Sequence, residues 1–211
     1  MGKLFRIDSP FSQAMSELFD LIALNILFLL TCVPVFTIGA ALSALHSVGL
    51  KQAVGEELPV VKTYFHEFKK NFRQATIAWI PLLLLGVFLL ADYFLAANGG
   101  SGGKRMQFAF GVMLLLYLCE VHYLFPMIAR YENTLWKTAK NALLVAIRFF
   151  PKTLALLALS VIPPVLAICG STELFVIWQV AMLVIGFSLT IILQDRILNK
   201  IFSALEMQME E

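Results

Sequence analysis

Residues Ala75 to Ala97 form an almost uninterrupted apolar run in which Asp92 is the single charged residue. An α-helix rises about 1.5 Å per residue, so about 20 apolar residues cross the hydrocarbon core of a bilayer, which is roughly 30 Å thick. Comparable runs recur through the rest of the chain, at Leu21–Leu45, Met106–Ala129, Thr153–Gly170 and Leu174–Leu193. The sequence therefore predicts an all-α, polytopic helical membrane protein.

The composition agrees with this class and excludes others. Hydrophobic residues make up 60% of the chain and charged residues only 14%, whereas about a quarter of the residues of a soluble domain are charged. The segments between the apolar runs are short, so we expect residues 1–211 to form a single integral membrane domain. The net charge of +2 gives no bulk electrostatic support for nucleic-acid binding.

No catalytic, cofactor or metal motif stands out in the chain. Cys32, Cys119 and Cys169 each lie alone in an apolar run, which is typical of packed thiols rather than of a disulfide framework or a metal site. The H-E-x-x-H, G-x-S-x-G and P-loop patterns do not occur. We therefore expect a non-enzymatic protein with no cofactor and no metal.

Pro34 leaves two topologies open for the first apolar run. If Leu21–Leu45 is one span, there are five helices and the chain ends lie on opposite sides. Alternatively, the first helix runs from about Phe11 to Val33, the chain turns at Pro34, and a second helix returns to about Leu50. Proline ends or kinks a helix near the preceding residue, which favours this hairpin and a total of six helices.

The distribution of Lys and Arg also favours six helices. With six, fourteen of the sixteen basic residues face the cytoplasm and only Lys104 and Arg105 lie outside, in the glycine-rich loop Asn98–Arg105; with five, the division is twelve to four. The positive-inside rule prefers the more uneven division. We therefore expect both termini to be cytoplasmic in a bacterial plasma membrane, although only the C-terminal side is common to both topologies.

The segment Val60–Arg73 has the pattern of a cytoplasmic amphipathic helix. Aromatic residues recur at helical spacing and basic residues lie between them, so the helix could rest on anionic lipid at the interface or dock on a partner. The candidate docking residues are Tyr64, Phe65, Phe68, Lys69, Lys70 and Arg73. A second segment on the same side, Arg130–Lys152, has Thr134 as a plausible helix cap.

Glu120 lies near the middle of the third long run, where an ionised acidic side chain costs about 2.5–3.5 kcal/mol. It must therefore be protonated, paired or in contact with water. His46 and Arg148 are its candidate partners, whereas His122 lies about 200° away from it around the helix. With Asn25 in the first span, these residues define a candidate intramembrane polar site, and a structural clamp between helices explains them equally well.

Small residues recur in the returning arm of the predicted hairpin. Gly39, Ser43 and Ser47 are spaced four apart, with Ala40 and Ala44 beside them. Such spacing lets helix backbones approach closely within lipid. We therefore expect this arm to pack tightly against other helices.

Several motifs together resemble the YesL-like family of bacterial integral membrane proteins, a domain of unknown function. They are Asn25–Leu30, Pro34–Ala41, Phe68–Ile77, Leu124–Asn133, Lys140–Arg148, Pro151–Leu154 and Gly186–Leu189. Members of that family are often encoded beside carbohydrate-uptake ABC transporters and polysaccharide-degrading enzymes. The resemblance therefore implies an accessory role in carbohydrate import, and it supplies no binding residues.

Two functions follow as expectations. The first is a non-enzymatic accessory or assembly partner of a carbohydrate ABC importer, contacting its permease or ATPase subunits through the two cytoplasmic segments. The alternative is a stand-alone small transporter or channel whose polar pathway uses Glu120 with His46 or His122. A purely structural membrane component is a third possibility.

Overall fold

The structure, a computed structural model, describes residues 10–97 and 99–209, and within these residues the chain is helical with no β-strand. Lys3 and Arg6, which contribute to the predicted charge division, lie outside the described residues, as does Asn98. The helices are α1 (Pro10–Cys32), α2 (Ile38–Ala53), α3 (Val60–Ala97), α4 (Gly100–Arg130), α5 (Leu135–Arg148), α6 (Phe150–Cys169), α7 (Thr172–Ala181) and α8 (Phe187–Met209). A π-helical segment, Met182–Gly186, joins α7 to α8, so the three form one long C-terminal helix.

Five helical segments in the described part of the chain are long and apolar enough to cross a membrane: Ala14–Cys32, Val60–Ala97, Gly103–Arg130, Phe150–Cys169 and Thr172–Gln208. This confirms the predicted all-helical, multi-pass class. With 16 residues, α2 is too short to be counted with them.

The chain breaks at Pro34, as the hairpin prediction requires. Helix α1 ends at Cys32, Pro34 is extended (φ −77°, ψ 115°), and a short 3₁₀ turn, Val35–Thr37, leads into α2. The Thr37 hydroxyl donates to the carbonyl oxygen of Pro34 (2.6 Å) and to that of Thr31 (2.5 Å). Leu21–Leu45 is therefore two helices, and the alternative of one continuous span is wrong.

Helix α2 lies at the centre of the molecule, antiparallel to α3. A Cβ added at Gly39 would lie 2.6 Å from the carbonyl oxygen of Ala75, and at the other end of α2 Lys51 Nζ donates to Glu67 Oε1 at 2.7 Å. Eleven of the sixteen residues of α2 are buried. The close packing predicted from its small residues is confirmed.

The amphipathic segment Val60–Arg73 is helical, but it is not a separate helix. It continues without a break into the apolar run as α3, whose 38 residues span about 57 Å at 1.5 Å per residue. Its phase also differs from the prediction, because Tyr64 is fully buried and its hydroxyl lies 2.6 Å from that of Thr31. The buried face of this segment packs against α1 and α2, so Tyr64 is not available to lipid headgroups, while Phe65 and Phe72 remain exposed on the other side.

The predicted glycine-rich loop Asn98–Arg105 is mostly helical. Helix α3 ends at Ala97 and α4 begins at Gly100. The turn is tight because Gly103 packs on the carbonyl oxygen of Ala96, at a place where a Cβ atom would overlap that oxygen. The glycines therefore permit close helix approach and do not form a long flexible linker.

The last turns of α4 and α8 are joined by a network centred on Arg130. Its guanidinium donates to both carboxylate oxygens of Glu206, at 2.9 and 2.8 Å, and to Asn199 Oδ1 at 2.8 Å. Tyr131 adds a hydroxyl bond to Glu206 at 2.8 Å. This bidentate geometry holds the end of α8 against α4.

Candidate functional site

A cavity of about 290 Å³ lies where α2, α4, α6 and the C-terminal helix meet. Most of its wall is apolar, with contributions from Leu42, Val121, Phe125, Leu159, Trp178 and Ile191 among others. Polar residues reach it from each of the four helices: His46, His122, Ser160, Thr190 and Gln194. A mostly apolar pocket with a few convergent polar groups is the usual form of a small-molecule site.

His46 of α2 is paired with Asp195 of α8 next to this cavity. The His46 Nδ1 atom lies 2.7 Å from Asp195 Oδ1, and the two side chains are 7% and 0% exposed. Asp195 Oδ2 packs against Gly49 and has no hydrogen-bond partner in the part of the chain that the structure describes. The second carboxylate oxygen is thus enclosed at a position where a larger residue than glycine would not fit.

A second polar chain links α4, α6 and α8. His122 Nδ1 lies 2.8 Å from the carbonyl oxygen of Leu118, and since a carbonyl can only accept, this nitrogen carries a hydrogen. His122 Nε2 lies 2.8 Å from the Ser160 hydroxyl, which accepts from Gln194 Nε2 at 2.6 Å. A neutral His122 that accepts from Ser160 satisfies His122 and Ser160, and Gln194 is held through its Nε2. These hydrogen bonds hold α4, α6 and α8 together.

Two irregular segments form the remaining wall of the cavity. Pro163 and Pro164 lie inside α6 and line the cavity together with Leu159 and Ser160. Proline has no N–H, so the carbonyl groups four residues earlier, those of Leu159 and Ser160, lose their helical donors. The π-helical segment contributes Met182 to the wall, and such segments often occur at functional sites.

Asn25 does not line the cavity but binds the π-helical segment from α1. Its Nδ2 donates to the carbonyl oxygens of Met182 (3.1 Å) and Leu183 (2.8 Å), and its Oδ1 accepts from the amides of Phe187 (3.0 Å) and Ser188 (3.1 Å). These are backbone groups that the irregular segment leaves without regular α-helical partners. Asn25 is therefore a structural clamp, in line with one of the two explanations offered for the intramembrane polar residues.

Glu120 is half-buried and lies outside the cavity wall, whereas the neighbouring residues Val121 and His122 line it. Neither of its predicted partners joins it: His46 is bound to Asp195, and Arg148 lies over the ring of Phe149 at 5.9 Å. Within the described residues no hydrogen bond or ion pair to Glu120 is found. The predicted pairing of Glu120 with His46 or Arg148 is therefore wrong, because these side chains have other partners.

The candidate docking residues are divided between the interior and the surface. Tyr64 is buried and Phe68 is half-buried, while Phe65, Lys69 and Arg73 are exposed. Lys70 forms an exposed ion pair with Glu132 at 2.9 Å, and this hydrogen bond holds the pKa of the Glu132 carboxyl below its usual range.

Helix α5 presents a second exposed amphipathic face. Thr134 occupies the N-cap position, although its hydroxyl makes no capping bond, and Ala142, Val145 and Ala146 are buried. Trp136 is 81% exposed and Ile147 60% exposed. The outward side carries these two residues with Leu143 and Leu144, and Lys137, Lys140 and Arg148 lie next to them.

Sequence reasoning missed Asp195, Ser160 and Gln194. Asp195 lies two residues beyond the predicted apolar run, which ends at Leu193, but α8 continues to Met209. The signal is its helical phase: Ile191, Leu198 and Phe202 are apolar and buried at spacings of four, three and seven residues from Asp195. A carboxylate in an apolar helical stripe is a position to examine.

Comparison with known proteins finds two similarities, and neither comes with an assigned function. Residues 21–93 match the family described as "Protein of unknown function, DUF624", a stretch that holds Asn25, the Pro34 turn, α2 and most of α3. The chain is also 30% identical over 138 residues to "Uncharacterized protein YteU" of Bacillus subtilis (strain 168), an alignment that covers 64% of this chain and 61% of that protein. No solved structure matches the chain.

Proposed function

We propose that this protein is a non-enzymatic accessory or assembly partner of a carbohydrate ABC importer in a bacterial plasma membrane. The proposal starts from the motifs that resemble the YesL-like family. One structural observation supports a docking role: Lys70 binds Glu132, and Gln74 Nε2 donates to the carbonyl oxygen of Asn133 at 2.7 Å. These bonds bring the basic part of α3 and the start of α5 into one surface.

In this proposal the surface faces the cytoplasm and all six membrane segments, α2 included, lie within the bilayer. The break at Pro34 and the antiparallel packing of α2 on α3 support the hairpin. The fourteen-to-two division of basic residues supports cytoplasmic termini. Permease or ATPase subunits would then contact the exposed side chains Phe65, Lys69 and Arg73 together with α5.

The test is purification of the tagged protein from native membranes in mild detergent, followed by mass spectrometry. Stoichiometric permease or ATPase subunits are expected with the wild-type protein and are expected to be lost with Lys69→Glu/Arg73→Glu. Lys104→Glu/Arg105→Glu is the matched control, because it makes the same charge change at the other end of α3 and α4. A protein that elutes without importer subunits contradicts the proposal.

The cavity favours a second candidate, a stand-alone small transporter or channel. Because Glu120 lies outside the cavity wall, we assign the polar pathway in this version to His46, Asp195 and His122. Proton flux in liposomes that contain only this protein is then expected to be abolished by Asp195→Asn and retained by Glu120→Gln. Liposomes without flux, or flux that depends on Glu120 alone, contradict this version.

A further inference from the structure

The cavity contains polar atoms that the protein itself does not satisfy. His46 lines the cavity and is 5% exposed, and its Nδ1 is held by Asp195. No hydrogen bond to His46 Nε2 is found among residues 10–97 and 99–209, and the same holds for Gln194 Oε1. Trp178 also lines the cavity, and its enclosed indole N–H has no partner there. These groups differ from the Ser160 hydroxyl and His122, which satisfy one another.

The pair with Asp195 determines which of these atoms donate. A buried pair is far less costly when its net charge is zero. This holds for an aspartate with an imidazolium and for a neutral acid that donates to Nδ1. In both states the hydrogen of the remaining nitrogen, Nε2, is present, so His46 donates into the cavity. Gln194 Oε1 accepts, and the cavity therefore offers a donor and an acceptor.

The position of the cavity indicates how a ligand would reach it. Ser160 lies at the middle of the span Phe150–Cys169, and Met182 to Gln194 occupy the central part of Thr172–Gln208. A molecule at this depth arrives through the hydrocarbon phase, so its body must be apolar. The volume of about 290 Å³ is about ten times the share of one water in the liquid. With its apolar wall, the cavity therefore fits a chain of roughly eight to ten carbons.

We propose that this cavity binds a small aliphatic alcohol or a lipid fragment with one hydroxyl head. The hydroxyl accepts from His46 Nε2 and donates to Gln194 Oε1, and the chain lies against Leu159, Val121 and Ile191. A carbonyl head would satisfy only the donor, and an alkane neither. The site is complete within one chain, so it does not depend on an importer partner.

The test is photolabelling of the full-length protein in phospholipid nanodiscs with an octanol that carries a diazirine, followed by peptide mapping. Labels are expected on the cavity segments of α6 and the C-terminal helix. Unlabelled octanol is expected to reduce the labelling by competition. Octane at the same membrane concentration is expected to compete at least about fivefold more weakly, since only the alcohol forms the hydrogen bonds. Label spread over lipid-facing residues without competition overturns the proposal.

Variants separate binding from folding. His46→Phe removes the donor, but it leaves Asp195 buried alone and can prevent folding. Leu159→Trp fills the cavity without touching the pair and is expected to reduce specific labelling at least fivefold. Leu154→Trp is the matched control, since Leu154 lies on the same helix, is 48% exposed and does not line the cavity. Equal labelling of a folded Leu159→Trp protein and the control overturns the proposal.

Discussion

A comparison of helices α2 and α7 shows that the more apolar helix of the two is the less buried. Helix α2 is rich in Gly, Ala and Ser and contains a histidine, yet most of its residues are buried; α7 is made mainly of large apolar residues, and none of them is buried. In water the order would be reversed. Within a bilayer, large apolar side chains can face lipid, while small and hydrogen-bonding residues form the helix contacts.

The largest difference in stability between the two helices is expected at the polar contacts of α2. Replacing His46 by Leu leaves Asp195 buried without a partner, which is expected to lower the free energy of unfolding by about 3–5 kcal/mol. The measurement is an SDS titration of the purified protein in micelles. His66→Leu is the matched control, because His66 is exposed on α3, and a change below about 0.5 kcal/mol is expected.

The double variant His46→Leu/Asp195→Leu decides why the single change is costly. If the penalty comes from an isolated buried charge, the double variant regains most of the lost stability, since an apolar pair of similar volume often replaces a buried ion pair without loss. A double variant less stable than His46→Leu contradicts this explanation.

Asn25 is expected to have the next largest effect. Asn25→Ala removes four hydrogen bonds to the π-helical segment and is expected to cost about 2–3 kcal/mol, because those backbone groups have no water to replace them. Protease sensitivity of the link between α1 and α2 is expected to rise as α1 detaches. Asn141→Ala, at an exposed position of α5, is the control; equal losses in both variants would show that the clamp is unimportant.

Gly49 tests whether α2 tolerates even one additional carbon. A Cβ at this position overlaps Oδ2 of Asp195, and His46 holds this carboxylate in place through its other oxygen, Oδ1. Gly49→Ala is therefore expected to cost about 1–3 kcal/mol. Gly111→Ala makes the same change on α4, where the nearest atom is Tyr93 Cε2 at 3.6 Å, and helix propensity there predicts a gain of up to about 1 kcal/mol. Similar values by SDS titration for the two variants would contradict close packing at α2.

How far the sequence predicts this molecule depends on whether a feature is local. The Pro34 break and the burial of the small-residue stripe are local consequences of proline and of residue size, and both were predicted correctly. The continuity of α3 was not, because a basic amphipathic stretch followed by an apolar run has the same sequence whether the helix bends or continues. The sequence likewise predicts a loop at Gly103, where the structure has the start of α4, since the contact of Gly103 with Ala96 is visible only in three dimensions.

The candidate site depended more heavily on tertiary structure. His46 and Asp195 are 149 positions apart, and neither segment alone contains a pattern that predicts this pairing. The sequence predicts Glu120 as a site residue because it lies near the middle of an apolar run, whereas Asp195 lies beyond the end of one. The helical phase of Asp195 with Ile191 and Leu198 is a signal that a search by apolar runs does not use.

The smallest effect is expected at α7. Ile177 is 64% exposed, and Ile177→Ala removes apolar surface that is in contact with lipid both before and after unfolding within the membrane. Hydrocarbon chains fill the vacated space, so no cavity remains and the expected change is below about 0.5 kcal/mol. Leu45→Ala, at a fully buried position of α2, is the comparison and is expected to cost about 2–5 kcal/mol by SDS titration. If Ile177→Ala proves as costly as Leu45→Ala, α7 packs against a protein surface, and this helix would then be the first place to look for the partner.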